Sequence, residues 1–394
     1  MGMTAIADPF LPLPIRQSDP ELTRRTDAAR AEMARRDLAA LLLVSPENIY
    51  YLLGLDHQGY FAFSLLLVPR DGAPELIARA MEGPTVAARA PGCVHRPFHD
   101  GEDPVAVVTA ALRAHVAPGS AVGVEDSAMF FPPAIRTRIC RETQELTWVD
   151  ASDVGQRLRE VKSDGEIAAV RRAAALSDSA MAAGIAAVAE GVRETRVAAA
   201  VYQAMISGGS QNPGFAPLIR STAILQQEHV SWDERAIAAG DGVFLELSAC
   251  VRRYHAPLSR TIYVGAAPPQ AATAHAAALA GLAAIRDALR PGAVAGDVYA
   301  AWRAAVERVH PQGGVPRHHC GYLVGIGFPP SWVGGGEVPG IRPGSTRAIR
   351  AGMTFHAMSW VQEPIGYVVS DTALVTGEGC ELLTGVSREL TVVP

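Results

Sequence analysis

Glu246 stands in the run Phe244-Leu245-Glu246-Leu247, a carboxylate among apolar neighbours of strand type. Such a side chain is either buried or turned to a cleft. Burial without a partner is expensive, so a partner or a raised pKa is expected. The group could act as general base on water or attack a carbon directly; as a structural group it would instead pair with Arg260 or Arg252. His229 lies in a polar segment before Ala239-Gly240-Asp241. Its imidazole, with an ordinary pKa near ~6.5, suits proton transfer, the alternative being a surface-loop histidine. His255 follows Arg253-Tyr254 and precedes Ala256-Pro257. Strand alternation puts Arg253, His255 and Pro257 on one face and Tyr254 on the other. There His255 could orient Glu246 or bind a substrate carboxylate, or be a satisfied core histidine. His318-His319-Cys320 has no second ligand motif near it, so no zinc site is expected.

The elements that must position these groups fall into two sets. Residues 20–36 suit an amphipathic helix, Leu38–Ser45 a buried strand, and 48–54 and 61–69 a continued strand pattern. Val105–Val116 reads as helix, and 120–125 and 146–149 as strands, so the first 150 residues predict an α/β domain. Beyond the break, Ser163 and Glu166 have capping-box spacing and open an Ala-rich helix to about Glu190. Further helices are expected near Thr195, over 269–289 and over 296–309, each pair followed by strands. Pro, Gly and Ser collect in 310–345, which predicts loop.

A chain of 394 residues is long for one core, so two domains are expected. Hydrophobic content of 49% with 19% charged residues fits a compact protein rather than a disordered one. The net charge of −5 without a basic patch argues against nucleic acid as a partner. No apolar run is long enough for a membrane span, and no basic-then-apolar leader is present. The five cysteines Cys93, Cys140, Cys250, Cys320 and Cys380 are scattered and never in C-x-x-C spacing. They read as reduced, mostly buried thiols of a cytoplasmic protein.

The stretch Phe244–Gly265, ending in Ser259-Arg260-Thr261-Ile262-Tyr263-Val264-Gly265, resembles the strand pair of the creatinase/prolidase/methionine-aminopeptidase ("pita-bread") superfamily. The junction Arg159–Ile167 is similar to that superfamily's R-x-x-K-S-x-x-E-I. The resemblance implies an α/β N-terminal domain, a ribonuclease-H-like layer over 1–155, and an α+β pita-bread domain over 156–394. The superfamily's pattern D-x-G-x(8)-D-[IL]-[TS]-R-T carries two metal-binding aspartates, which fall here on Glu246 and Pro257. The histidine of G-H-x-x-G falls on Tyr322. The glutamate of P-G-M-x-F-x-x-E-P is placed at or near His356, and that before T-x-x-V-T on Asp371. A proline ring cannot coordinate, and this set cannot hold two bridged divalent ions, so the resemblance implies the fold without its metal pair and no other cofactor.

Three segments resemble one branch, the bacterial ectoine hydrolases and their close relatives: Gly321–Trp332, Glu246–Thr261 and Gly352–His356. They depart from it at Ser331 and at Gly334–Gly336. The resemblance implies Glu246, His229, His356 and Asp371 as catalytic groups, with Asp371 beside His356. Tyr322, His255, Arg260 and Trp332 would position substrate charge. In creatinase-type dimers the loop after L-x-G enters the partner's site, which implies a homodimer with Phe61 and Phe63 closing the neighbouring pocket. The implied activity is metal-free hydrolysis of a non-peptide C–N bond in a small zwitterion, an ectoine-like cyclic amidine. The alternatives are a prolidase-type metallopeptidase with degenerate ligands, a C–S lyase acting on a sulfonium osmolyte, and a non-catalytic binding protein.

Overall fold

The structure is a computed structural model that describes residues 20–311, 317–334, 338–363 and 365–394. Residues 1–19, Gly335, Gly336 and part of the 310–345 loop lie outside the described residues. The chain divides after Leu158 into two units, against the boundary after residue 155 read from the sequence. No described helix is long and apolar enough to cross a membrane.

The first unit holds α1 (Pro20–Arg35), β1 (Leu38–Leu43), α2 (Pro46–Leu53), β2 (Leu65–Pro69), β3 (Glu75–Arg79), α3 (Gly83–Arg89), β4 (Val94–Phe98), α4 (Pro104–His115), β5 (Ala121–Val124), α5 (Pro133–Glu142) and β6 (Thr147–Asp150). Helix α6 (Ser152–Glu160) then carries the chain past the boundary. The mixed sheet runs β4-β3-β2-β1-β5-β6. Leu42, Leu67, Ile77 and Val122 pack with Val108 and Leu112 of α4. The segment 48–54, expected as strand, is helix. Pro46 starts it, and Gly54 at φ 69 stops it by donating its N–H to the Tyr50 carbonyl at 2.7 Å. All eight residues of α2 are buried, so no amphipathic period marked it. Likewise 61–64 does not join β2, and Gly59–Phe61 is a single 3₁₀ turn.

The second unit opens on α7 (Asp164–Ala187), whose capping box is formed: the Ser163 N–H donates to Glu166 Oε2 at 2.8 Å and the Glu166 N–H to Ser163 Oγ. Then come α8 (Glu194–Ser207), β7 (Leu218–Arg220), β8 (Gly242–Leu247), β9 (Cys250–Val251), β10 (Tyr254–His255), β11 (Leu258–Val264), α9 (Ala271–Ala288), α10 (Ala295–Val309), β12 (Gly321–Leu323), β13 (Thr354–Val361), β14 (Tyr367–Val375), β15 (Cys380–Leu382) and β16 (Thr391–Val393). The main sheet runs β12-β13-β14-β11-β8-β7, with β15 on β14 and β16 on β11. Both helix pairs cover one face. Leu245, Leu258 and Ile262 pack against α7 and α8, and Phe355, Ala357, Val369 and Ala373 against α9 and α10. At roughly 1.5–3 kcal/mol per buried large side chain, this two-part core is what holds the sheet's other face in place. Of the cysteines, Cys250 and Cys320 are buried, and Cys93, Cys140 and Cys380 half-buried.

Candidate active site

The register of the sheet defines its second face. Leu218 pairs with Glu246, Glu246 with Ser259, Ser259 with Ser370, and Ser370 with Met358, one row across five strands. Because paired residues share a face and alternate residues return to it, Phe244, Thr261, Thr372, His356 and Trp360 join that face. Tyr322 pairs with His356 and extends it to β12. This polar face, opposite the helices, is the candidate site.

Glu246 is its carboxylate. Its residue is 6% exposed, and none of the described residues hydrogen-bonds it. Burial pushes its carboxyl up to about 7, against the pull of Arg220 and Arg317. The structural alternative, pairing with Arg260 or Arg252, is absent among the described ion pairs of Glu246.

A hydrogen-bonded chain lies beside it. Trp332 Nε1 donates to the Tyr322 hydroxyl at 3.2 Å, and His356 Nδ1 lies 3.0 Å from that hydroxyl. On the other edge of the ring, His356 Nε2 is 2.6 Å from Ser370 Oγ, itself 2.6 Å from Ser259 Oγ. Burial, with His319 nearby, pulls the His356 imidazole down to about 3, so the ring is neutral at ordinary pH. Burial raises the Tyr322 phenol, which stays protonated. With His356 as its Nδ1–H tautomer, two donors fill the lone pairs of the phenol oxygen, and the Tyr322 O–H is left to point elsewhere. The sequence assigns Ser259 and Ser370 no role in the site and does not foretell the contact of Trp332 with Tyr322.

Several expected groups sit elsewhere. Asp371 lies between Val369 and Ala373 on the helix-covered face, not beside His356. It accepts from Arg260 at 3.0 Å, Arg388 at 2.6 Å and Thr384 at 2.7 Å. Arg260 donates to the carbonyls of Ser259, Ser370, Val386 and Ser387 as well, so its guanidinium is fully used in the core and does not position substrate. His255 is a satisfied core histidine: its Nδ1 lies 2.9 Å from the Arg253 carbonyl, and its Nε2 accepts the Gly214 N–H at 2.9 Å. Arg253 does not share its strand face, because Arg252 and Arg253, at φ 50 and 64, form the turn between β9 and β10. Tyr254 turns to α7 and donates to Glu166 at 2.5 Å. His229 is exposed in a loop at φ 56, its ring stacked at 6.4 Å on Phe215, which meets Trp332 edge-on.

The superfamily pattern, counted through the actual register, changes two positions. From Gly352, the glutamate of P-G-M-x-F-x-x-E falls on Met358, and Met358 faces Ser370 rather than Asp371. The five positions are therefore Glu246, Pro257, Tyr322, Met358 and Ser370, with one carboxylate among them. Among the described residues no three His, Cys, Asp or Glu side chains come together as metal ligands. The donor set does not fit a dinuclear centre.

In the first unit, Phe61 is 75% exposed with the Arg79 guanidinium over its ring, whereas Phe63 stacks on Phe131 at 6.2 Å and belongs to its own core. Phe63 is thus not free to close another pocket.

Residues 168–377 match the model of metallopeptidase family M24, and 25–161 that of the creatinase/prolidase N-terminal domain. The chain belongs to metallopeptidase family M24. This M24 chain is 27% identical over 392 residues to ectoine hydrolase of Halomonas elongata, covering 94% of this chain and 97% of that one. It is 26% identical to the solved dipeptidase PepE from Mycobacterium ulcerans, with a TM-score of 0.82 over 95% and 98% of the two chains. A prolidase from Thermococcus sibiricus shares the fold at a TM-score of 0.85 and 22% identity, over 94% and 99%. The two-domain architecture, creatinase-type N-terminal domain then pita-bread domain, is that of these relatives, and the family is hydrolytic.

Proposed function

We propose that this M24 chain hydrolyses a non-peptide C–N bond in a small zwitterionic compound without a metal ion, an ectoine-like cyclic amidine being the favoured substrate. The observation that carries the reading is Glu246, the one carboxylate left at the superfamily's five ligand positions, with burial raising it to about 7. A base of that strength is matched to neutral pH. The similarity to an ectoine hydrolase along nearly the whole chain supports the substrate class.

In the proposed reaction Glu246 takes a proton from water while the water oxygen bonds to the amidinium carbon. The Tyr322 O–H, held by Trp332 and His356, hydrogen-bonds the oxygen in the tetrahedral intermediate. The proton on Glu246 passes to the departing nitrogen and the C–N bond breaks; the hydroxyl proton of the intermediate then follows through the freed carboxylate to the amine, leaving an N-acyl product whose released amine is an ammonium group and a regenerated Glu246 carboxylate. An amidinium carbon is already electrophilic, so no Lewis acid is required. A peptide bond normally needs one in this fold, and that disfavours the dipeptidase reading for this donor set. The active form is a homodimer in which the exposed Phe61 closes the neighbouring site. Mass spectrometry of ectoine incubated with the protein tests the reading. Ring-opened product at 18 mass units (~18, one water) above substrate supports it; unchanged ectoine, with turnover of Xaa-Pro dipeptides instead, defeats it.

A further inference from the structure

Two arginines on the Glu246 face touch none of the reacting atoms in that reaction and act on it only through their pull on Glu246. Arg220 of β7 pairs with Phe244 and is therefore the diagonal neighbour of Glu246 on the same face. Its side chain is 1% exposed, with the guanidinium 4.3 Å above the Phe244 ring and 5.8 Å from that of Trp360. Arg317 lies 4.1 Å over the other aromatic, Trp360. Both Nε–H groups are buried and have no hydrogen-bond partner among the described residues. Each such donor costs on the order of 1–3 kcal/mol. One carboxylate serves both cations: Glu228 accepts from Arg317 at 2.7 Å and stands 3.8 Å from Arg220. Although its burial works the other way, the Arg317 contact holds Glu228 below the usual carboxylate range. Glu228 is 46% exposed on the loop that also carries His229, so it can leave.

We infer that Arg220 and Arg317 form a carboxylate-recognition subsite, and that Glu228 holds its place until the substrate's own carboxylate displaces it. The subsite deepens the function proposed above by dividing a zwitterion's charges: carboxylate to the arginines, cationic carbon to Glu246. Both guanidiniums lie over aromatic rings, and an arginine's planar fork suits two-oxygen recognition of a carboxylate. Glu228 would thereby discriminate against neutral and purely cationic amidines, which cannot displace it.

Calorimetric titration with ectoine and with 2-methyl-tetrahydropyrimidine, the same ring without its carboxylate, tests the inference in protein carrying Glu246→Gln, which binds without turnover. That protein should bind ectoine at least about tenfold more tightly, and adding Arg317→Gln should abolish that difference, as expected for one charged hydrogen bond. Adding Glu228→Gln should tighten ectoine about three- to tenfold and leave the analogue unchanged. Equal affinity of the Glu246→Gln protein for both compounds, or weaker ectoine binding on adding Glu228→Gln, overturns the inference. If Arg317→Gln does not fold, Arg220→Lys replaces it, with the same expected loss. Should ectoine not bind at all, the substrate reading fails but the subsite is still testable with acetate. Acetate should then raise the melting temperature of Glu228→Gln more than that of wild type, and an equal response overturns the subsite.

Discussion

His356 Nε2 lies 2.6 Å from Ser370 Oγ, and through that hydroxyl the histidine is tied to Ser259 on the next strand. The next residue, Asp371, is turned through the sheet to Arg260 and Arg388. One strand position thus separates a neutral hydrogen-bond chain on the site face from a buried ion cluster on the helix face.

Asp371→Asn should therefore lower stability and not chemistry. It leaves Arg260, 3% exposed, without its counter-charge, which typically costs about 3–5 kcal/mol. Denaturant unfolding should show that loss, while kcat per folded molecule stays near wild type. A large fall in kcat at unchanged stability would place Asp371 in the mechanism after all.

Glu246 makes stability depend on pH in a set direction. Its folded pKa, about 7, lies above the ordinary carboxyl value of 4.5. The stability it contributes is full below about 4.5 and is lost as pH rises to about 7. Relative to Glu246→Gln, wild type should lose at most about 3 kcal/mol across that window and no more above it. His255 and His356 act on the acid side, since burial lowers them to about 4 and about 3. Both stay neutral in the fold, so stability present above about 6.5 is lost as pH falls toward those values. Urea melts of wild type and Glu246→Gln from pH 4 to 8 (~4 to ~8) measure the first effect as a difference that cancels the histidines. A flat difference would mean that Glu246 is not buried as described.

Much of the second unit was legible because its signals are local. The Ser163–Glu166 box and the four helices follow from capping and alanine content, and the strand Leu258–Val264 from the family resemblance of its sequence. The failures came where a side chain's direction depends on strand register. Asp371 and Ser370 are adjacent in sequence but lie on opposite faces, and only the pairing of Met358 with Ser370 shows which faces Glu246. Arg253 and His255 seemed to share a face until the positive φ values of Arg252 and Arg253 made a turn between them. Arg220 and Arg317 are far apart in the sequence and meet at the aromatic ring of Trp360 and the carboxylate of Glu228. In the first unit α2, buried on every side, carried no periodic signal to contradict a strand.

Tyr322→Phe removes the hydroxyl on which Trp332 and His356 converge. Loss of one preorganised donor to an oxyanion typically costs about 10²–10³ in kcat. That loss should appear in kcat with KM changed little. A rise in KM at unchanged kcat would assign Tyr322 to ground-state binding.

Phe61→Ala tests the shared site. The ring is 75% exposed, which a closing role in a dimer explains. Light scattering should give a dimer, and the variant should raise KM about tenfold without loss of stability. A monomer, or an unchanged KM, would remove Phe61 from the site, whereas Phe63→Ala should act on stability through its contact with Phe131.

Ectoine turnover by protein dialysed against EDTA, with metal content measured on the same sample and Glu246→Gln run beside it, addresses the proposed chemistry most directly. Metal-free wild type should retain its activity, and Glu246→Gln, with the same fold, should lose about two to four powers of ten in kcat. Activity that disappears with EDTA and returns with manganese, or a Glu246→Gln variant that turns over normally, would contradict metal-free catalysis by this carboxylate.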